Sequence, residues 1–277
     1  MTKPSSERLG PLVARVRQQA AEFIARDADV RAGAPDAVHQ MRVATRRRRS
    51  CLRTFRGAFD PLPAAHLSDE LSWIADVLGA ARDAQVIAER IAGEGTDAAS
   101  LRTLWADGDG GEVRALEEAM ASSRYRVLVV EIATFAISPP LARDAKGRRW
   151  MVRRLRREIE RVVERIEQAD ALEGAARDDA LHAARKVAKR VRYAAETLEP
   201  VYGKRARRIA KAFEAIQVAL GDHHDAIVLQ ARLQHRPEPE VADLIGREQE
   251  RAALAEEAFG TAWAHVTDIL RRQWPTA

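Results

Sequence analysis

The 277-residue chain has one cysteine, Cys51, so no disulfide can form within it, and a reducing compartment is the simplest setting. Cys51 is read as a packing residue. Aromatic residues make up only 5% of the chain, too few to suggest the stacking platforms on which single-stranded nucleic acids are held. No apolar run approaches the length that crosses a bilayer, and the opening Met1 to Arg8 has no apolar core of signal-peptide length. A soluble, cytoplasmic protein with no membrane partner is expected. Strand signals are nearly absent. There is no Walker loop, no nucleophile beside a base and no carboxylate cluster suited to Mg²⁺, so no catalytic residue, cofactor or metal ligand is expected. Excess charge is also scarce, with 46 Lys and Arg against 41 Asp and Glu. Any strong positive field must come from placement.

Placement is where the chain stands out. From Asp36 to Phe59 there are seven arginines and one acid. Within that stretch His39-Gln-Met-Arg42-Val-Ala-Thr-Arg46-Arg47-Arg48-Arg49 recurs 143 positions later as His182-Ala-Ala-Arg185-Lys-Val-Ala-Lys189-Arg190-Val-Arg192. At about 100° per residue, His39, Arg42, Arg46, Arg49 and Arg53 share one narrow arc of a helix, as do His182, Arg185, Lys189 and Arg192. Each stripe carries a cation roughly every 5 Å of helix rise, which suits a ligand with closely spaced negative charge. Like charges along a helix repel, so a stripe built twice points to a polyanion ligand. Arginine dominates it, and its planar fork can give phosphate oxygens two hydrogen bonds.

The offset extends to whole units. Leu12 maps to Leu155, Val16 to Ile159, Phe23 to Ile166 and Asp36 to Asp179. Past the basic helix it becomes 142, pairing Ile74, Leu78, Gly79, Asp83 and Val86 with Ile216, Leu220, Gly221, Asp225 and Val228. So long a period predicts two related helical lobes rather than a solenoid. Helical periodicity is broken at Pro35, Asp60 to Pro63, Gly108 to Gly111, Pro139-Pro140, near Gly174, at Pro200 to Gly203 and at Pro237 to Pro239. The fold class is all-α, with helices expected at about 5 to 31, 36 to 59, 64 to 93 and 111 to 138. Their repeats are expected at about 143 to 169, 179 to 201, 204 to 234 and 240 to 273. Asp36 and Asp179 are the expected N-caps of the basic helices. Met41, Ala44, Cys51, Leu52, Phe55 and Phe59 form the expected core face of the first basic helix. Ala184, Val187, Val191, Ala194, Ala195, Leu198 and Tyr202 do so in the second.

His39 and His182 admit three roles: hydrogen-bond donor to phosphate, structural residue, or phospho-acceptor of a histidine phosphotransfer bundle. The first is favoured, because a nucleophilic imidazole needs an acid or base to orient it and the motif supplies cations. His223-His224-Asp225 invites a metal reading, but adjacent rings on a helix diverge, and the first copy has Ala81-Arg82-Asp83 there. Asp83 and Asp225 are candidates for orienting basic residues or closing lobe contacts, with helix capping within one lobe as an equal alternative. Nucleic-acid backbone binding is the alternative function, as a weak or secondary activity.

The paired H-x-x-R-x-x-x-[RK]-R-x-R helices, each followed by L-G-x-x-x-D, resemble the CHAD domain, the conserved histidine α-helical domain. The resemblance covers residues 5–274 as a single domain, with an N-terminal lobe at 5–138 and a C-terminal lobe at 143–274. It implies two four-helix lobes related by pseudo-twofold symmetry around a central basic cavity, and non-catalytic binding of inorganic polyphosphate. It also implies polyphosphate granules or polyphosphate-metabolising enzymes as partners or location. Its signature residues here are His39, Arg42, Arg46, Arg47 and Arg49, with His182, Arg185, Lys189, Arg190 and Arg192. Arg53 extends the first stripe, whereas Glu196 maps onto it in the second. Lys204, Arg207, Arg208 and Lys211 are expected to compensate, leaving two unequal lobes. Arg48 departs from the pattern, since the second copy has Val191, and must reach past the core or line a lobe edge. The E-x-E-x-K strand of the triphosphate tunnel enzymes to which such domains are fused has no match, the nearest string being Glu248-Gln-Glu250-Arg-Ala, so a stand-alone binding domain is expected.

Overall fold

The computed structural model describes residues 5–93, 111–234 and 239–273. The expected breaks at Gly108 and Pro237 lie outside them. Among the described residues the protein is all-α, its one extended contact being an isolated bridge between Phe59 and Leu141. It divides into two compact units, Met1–Arg148 and Arg149–Ala277.

In unit 1 a single helical turn, Ser5–Arg8, precedes α1 (Gly10–Arg31), so the helix expected from residue 5 breaks at Leu9. Pro11 opens α1, where its missing N–H costs nothing. The basic helix α2 (Ala37–Thr54) ends five residues early and gives way to a 3-10 turn, Arg56–Ala58. Helix α3 (Pro61–Gly93) begins before its expected start because Pro61 suits a first helical position and the Asp60 carboxylate accepts from Leu62 N–H at 3.2 Å. The helix expected over 111 to 138 is two, α4 (Gly111–Ala121) and α5 (Ser123–Ile137). Ser122 makes the division: its hydroxyl accepts from Tyr125 N–H as the N-cap of α5 and donates to Ala119 O, satisfying both flanking ends.

Unit 2 holds α6 (Arg148–Asp170), α7 (Gly174–Tyr202), α8 (Lys204–Leu233) and α9 (Pro239–Gln273). Helix α6 starts five residues later than expected. Helix α7 starts five earlier, so Asp179 lies inside it and is no cap. The reason is local: Pro35 sits just ahead of α2, while Asp178 holds the matching position ahead of residue 179 and lets the helix run back to Gly174. Asp36 does occupy the N-cap position of α2, but in the left-handed region (φ 58°) and with no capping hydrogen bond; Gln40 donates to its carboxylate instead. Between α7 and α8 there is one residue, Gly203, whose φ of 53° folds the basic helix straight back onto its neighbour.

The expected apolar faces are the cores. Met41, Ala44, Cys51, Leu52, Phe55 and Phe59 are buried in unit 1, as are Ala184, Val187, Val191, Ala194, Ala195 and Leu198 in unit 2. Tyr202 is the exception, left exposed at the end of α7. Burial pushes the Cys51 thiol up to about 12, against the pull of Arg15 and Arg48, which suits a packing residue and disqualifies a nucleophile. Arg48 neither passes the core nor lines an edge. It is 1% exposed, its guanidinium donating to Val16 O and Ile132 O at 3.3 and 3.2 Å and lying over Phe135. Burial lowers it to about 10, so it stays charged at neutral pH and joins α1, α2 and α5.

Candidate polyanion interface

Each basic helix packs beside the helix that follows it, and the stripe runs along that seam. In unit 1, Arg42 donates to the Asp83 carboxylate of α3 at 3.0 Å and passes over Gly79, one helical turn earlier, where a Cβ would sit in ordinary contact 3.9 Å from its Nε and Nη2. Unit 2 repeats the device. Arg185 stands 3.9 Å from Asp225, pressed so closely on Gly221 that a Cβ would come within 3.0 Å of Nη2. The L-G-x-x-x-D string thus works as one unit with the arginine of H-x-x-R, the aspartate fixing its reach and the glycine lying beneath it, closely enough at Gly221 that a side chain would intrude.

A prediction follows from the difference in clearance. Gly79→Ala is expected to raise stability by up to about 1 kcal/mol, as alanine usually does inside a helix, and to leave ligand affinity alone. Gly221→Ala must push the Arg185 guanidinium off its bed, so affinity at unit 2 should fall even if the melting temperature rises. Thermal melting and ligand titration on both variants check this.

Further along the seams the units diverge. Arg49 donates to the Ser72 hydroxyl at 2.9 Å. At the matching place Arg192 meets two carboxylates, Glu214 at 2.8 Å and Glu196 at 3.0 Å, and also reaches Gln217. Where unit 1 has a neutral Ser72 and a cationic Arg53, unit 2 has two acids. The far end of the second stripe is therefore neutralised from within. Of the α8 cations, Arg207 and Lys211 stand two turns and one turn before Glu214 on the same side, while Lys204 and Arg208 lie further round the helix. All four are exposed, and Arg207 is tied to Glu199 of α7 at 2.5 Å.

The second cation of each adjacent pair, Arg46-Arg47 and Lys189-Arg190, turns away from its stripe. Arg47 approaches Glu22 of α1 at 4.0 Å, and Arg190 bonds Glu158 of α6 at 2.8 Å, where Glu158 is 2% exposed and also held by Arg161. Arg190 is thereby committed to its own fold. Half-buried His39 is held below the ordinary imidazole range by burial, opposed by Asp36 and reinforced by Arg82, Arg46 and Arg42. His182 is driven further, to about 3, by burial, then His224, then Lys186, Arg185 and Lys189. The adjacent histidines of α8 part company: His224 stacks on His182 with ring centroids 3.7 Å apart, whereas buried His223 faces Asp178 and Glu256 of α7 and α9. Glu248 lies within α9, buried against Arg251.

Sequence reasoning missed Ser72, Glu214 and Gln217 as seam residues and the bedding role of Gly79 and Gly221. The signal was present, since the 142-residue offset aligns Ser72 with Glu214. No helix among the described residues is long and apolar enough to cross a membrane.

Comparison with known proteins places these seams in a family. The chain resembles PptA from Streptomyces chartreusis, with a TM-score of 0.73 at 22% identity over 95% of this chain and 100% of that one, a likeness of fold. It also resembles the crystal structure of the CHAD domain from the plant Ricinus communis, with a TM-score of 0.66 at 25% identity over 96% and 92%. Uncharacterized proteins from two Mycobacterium tuberculosis strains are each 35% identical over 245 residues, covering 80% of this chain and 45% of their own length. The chain thus spans about half the length of the curated relatives it matches. The CHAD domain family matches residues 14–234. Those bounds take in both basic helices, both L-G-x-x-x-D strings and the arginine beds they form, and the chain belongs to the CHAD domain family.

Proposed function

We propose that this chain binds inorganic polyphosphate along its arginine seams and performs no chemistry on it. The observation that carries the reading is the line Arg42, Arg46 and Arg49 on α2, spaced every three to four residues, with Arg42 seated over Gly79 and Arg49 donating to the neutral Ser72 hydroxyl. Arg49 so held keeps its charge for a phosphate chain, and Arg42, with Nη1 anchored to Asp83, is fixed in place to present its remaining donors. Family membership supports the same ligand. Arg46 and Lys189 are the central contacts; Arg53 extends the first seam, and Arg207 and Lys211 lead into the second. Arg47 and Arg190 act through the fold, and Lys204 and Arg208 add a diffuse field.

Nucleic acid is the weaker ligand. Tyr193, the aromatic beside the second stripe, is 2% exposed and has no face to offer a base. A phosphotransfer role for His182 is disfavoured by its neighbours, since His224 stacks on the ring rather than orienting it by a hydrogen bond and the others are cations. Polyphosphate granules, or enzymes that make or degrade the polymer, are the partners that such a ligand brings with it.

Titration with orthophosphate and with chains of increasing length tests the proposal. Affinity should rise with length until a seam is covered and should fall with salt, log K dropping by roughly 0.7 to 0.9 per phosphate neutralised for each tenfold increase in salt. Equal affinity for orthophosphate and a long chain contradicts it.

A further inference from the structure

Position 82 in unit 1 and position 224 in unit 2 are equivalent, each one residue before the aspartate that fixes the seam arginine. Both bear on the motif histidine from the next helix. Arg82 acts on His39 together with Arg46 and Arg42. His224 lays its ring on that of His182, the planes 34° apart, while the buried Nδ1 of His182 has no hydrogen-bond partner. One unit therefore sets a permanent cation beside its histidine, and the other sets a second ionisable ring.

The charged groups that bear on the ring pair are Arg185, Lys186 and Lys189 from α7 and Asp225 from α8. His223, on the other side of α8, answers to Asp178 and Glu256. Burial and the surrounding cations disfavour the charged form of both rings; Asp225 pulls the other way, on His224. The unfolded chain would accept protons below about pH 6.5 that the folded one refuses, so the empty protein loses stability as pH falls through that value. A polyanion lying on Arg185 and Lys189 cancels those cations and sets negative charge beside the rings, which favours the charged form against the burial that opposes it. The rings then accept one proton from solvent. A second is barred, because two charged rings 3.7 Å apart would repel strongly.

Resting on the polyphosphate reading, we propose that Arg82 and His224 are ligand contacts carrying each stripe onto the following helix, and that docking in unit 2 loads one proton onto the His182–His224 pair. In unit 1 the permanent charge of Arg82 beside His39 opposes protonation of that ring, so acid strengthens unit 2 more than unit 1.

The test is calorimetric titration of the full chain with long-chain polyphosphate from about pH 5.5 to about pH 8, in buffers of different ionisation enthalpy. The wild type should bind more tightly as pH falls, by at most about tenfold per pH unit for one proton, with uptake visible as buffer-dependent heat. His224→Arg copies the arrangement of unit 1, so it should raise affinity near pH 8 and remove most of the proton uptake. Arg82→His should do the reverse in unit 1. His182→Gln is the second route to loss of uptake should His224→Arg fail to fold, with helical dichroism and melting as the control. Binding with the same proton uptake in His224→Arg and His182→Gln would overturn the proton coupling alone. Absence of binding by the wild type at every pH would overturn the polyphosphate reading itself.

Discussion

Replacing Arg42 and Arg46 together by alanine is expected to weaken long-chain polyphosphate binding by more than a hundredfold while leaving helicity and melting nearly intact. Each charge-assisted contact is worth roughly 1.5 to 3 kcal/mol, and neighbours on one stripe are not fully additive, so about 3 kcal/mol for the pair is a conservative sum. On the proposed reading the loss falls on the stronger seam. Arg192→Ala should cost far less, because Glu214 and Glu196 already consume that guanidinium. Arg185 and Lys189 should give intermediate effects. Arg47→Ala should matter less than either central arginine, since Arg47 turns toward Glu22. Titration of the variants at one ionic strength ranks them, and a ranking in which Arg192 equals Arg46 would contradict the inequality of the seams.

The second large effect is on stability, at Arg48. Arg48→Glu would bury a carboxylate against Val16 O and Ile132 O, facing acceptor with acceptor, and is expected to cost about 4 kcal/mol or more. Arg48→Met should stay within about 1 kcal/mol of the wild type. A thioether of similar bulk fills the space beside Phe135, and the two carbonyls belong to helices whose own bonds can hold them. Urea unfolding of the two variants separates these cases. Equal losses would mean that the guanidinium hydrogen bonds, rather than its volume, hold α1, α2 and α5 together.

Arg48 also marks the limit of what periodicity can disclose. Helical spacing correctly puts position 48 toward the core, as Val191 is in the second copy, but an arginine there reads as a departure. Its solution depends on carbonyls of Val16 and Ile132, far away in sequence. The all-α class and both buried faces were legible because they follow from a 3.6-residue pattern sustained over long segments. Boundaries were less so. Asp179 looks as good a cap as Asp36, and only the missing proline before it lets α7 continue back to Gly174. The single helix expected over 111 to 138 concealed a Ser122 cap, since a serine reads as an ordinary helix-surface residue until its hydroxyl is seen to accept Tyr125 N–H.

For the site, the sequence disclosed the cations but not their partners. Arg49 and Arg192 occupy matching positions and look alike in a stripe; what separates them is Ser72 or Glu214 across the seam. The same holds for the two motif histidines, distinguished by Arg82 and His224 on the following helix. Charge patterning along one helix cannot show neutralisation by the next.

The most direct test of polyphosphate recognition is competition at fixed ionic strength, with labelled long-chain polyphosphate bound to the full chain and displaced by unlabelled polyphosphate, tRNA, duplex DNA or orthophosphate. Polyphosphate should displace at concentrations at least about tenfold below those of either nucleic acid per phosphate, with orthophosphate weakest, because the seams offer closely spaced guanidinium forks and no stacking face. Displacement by tRNA or duplex DNA as effective as that by polyphosphate would contradict the account and make this chain a general binder of nucleic-acid backbones.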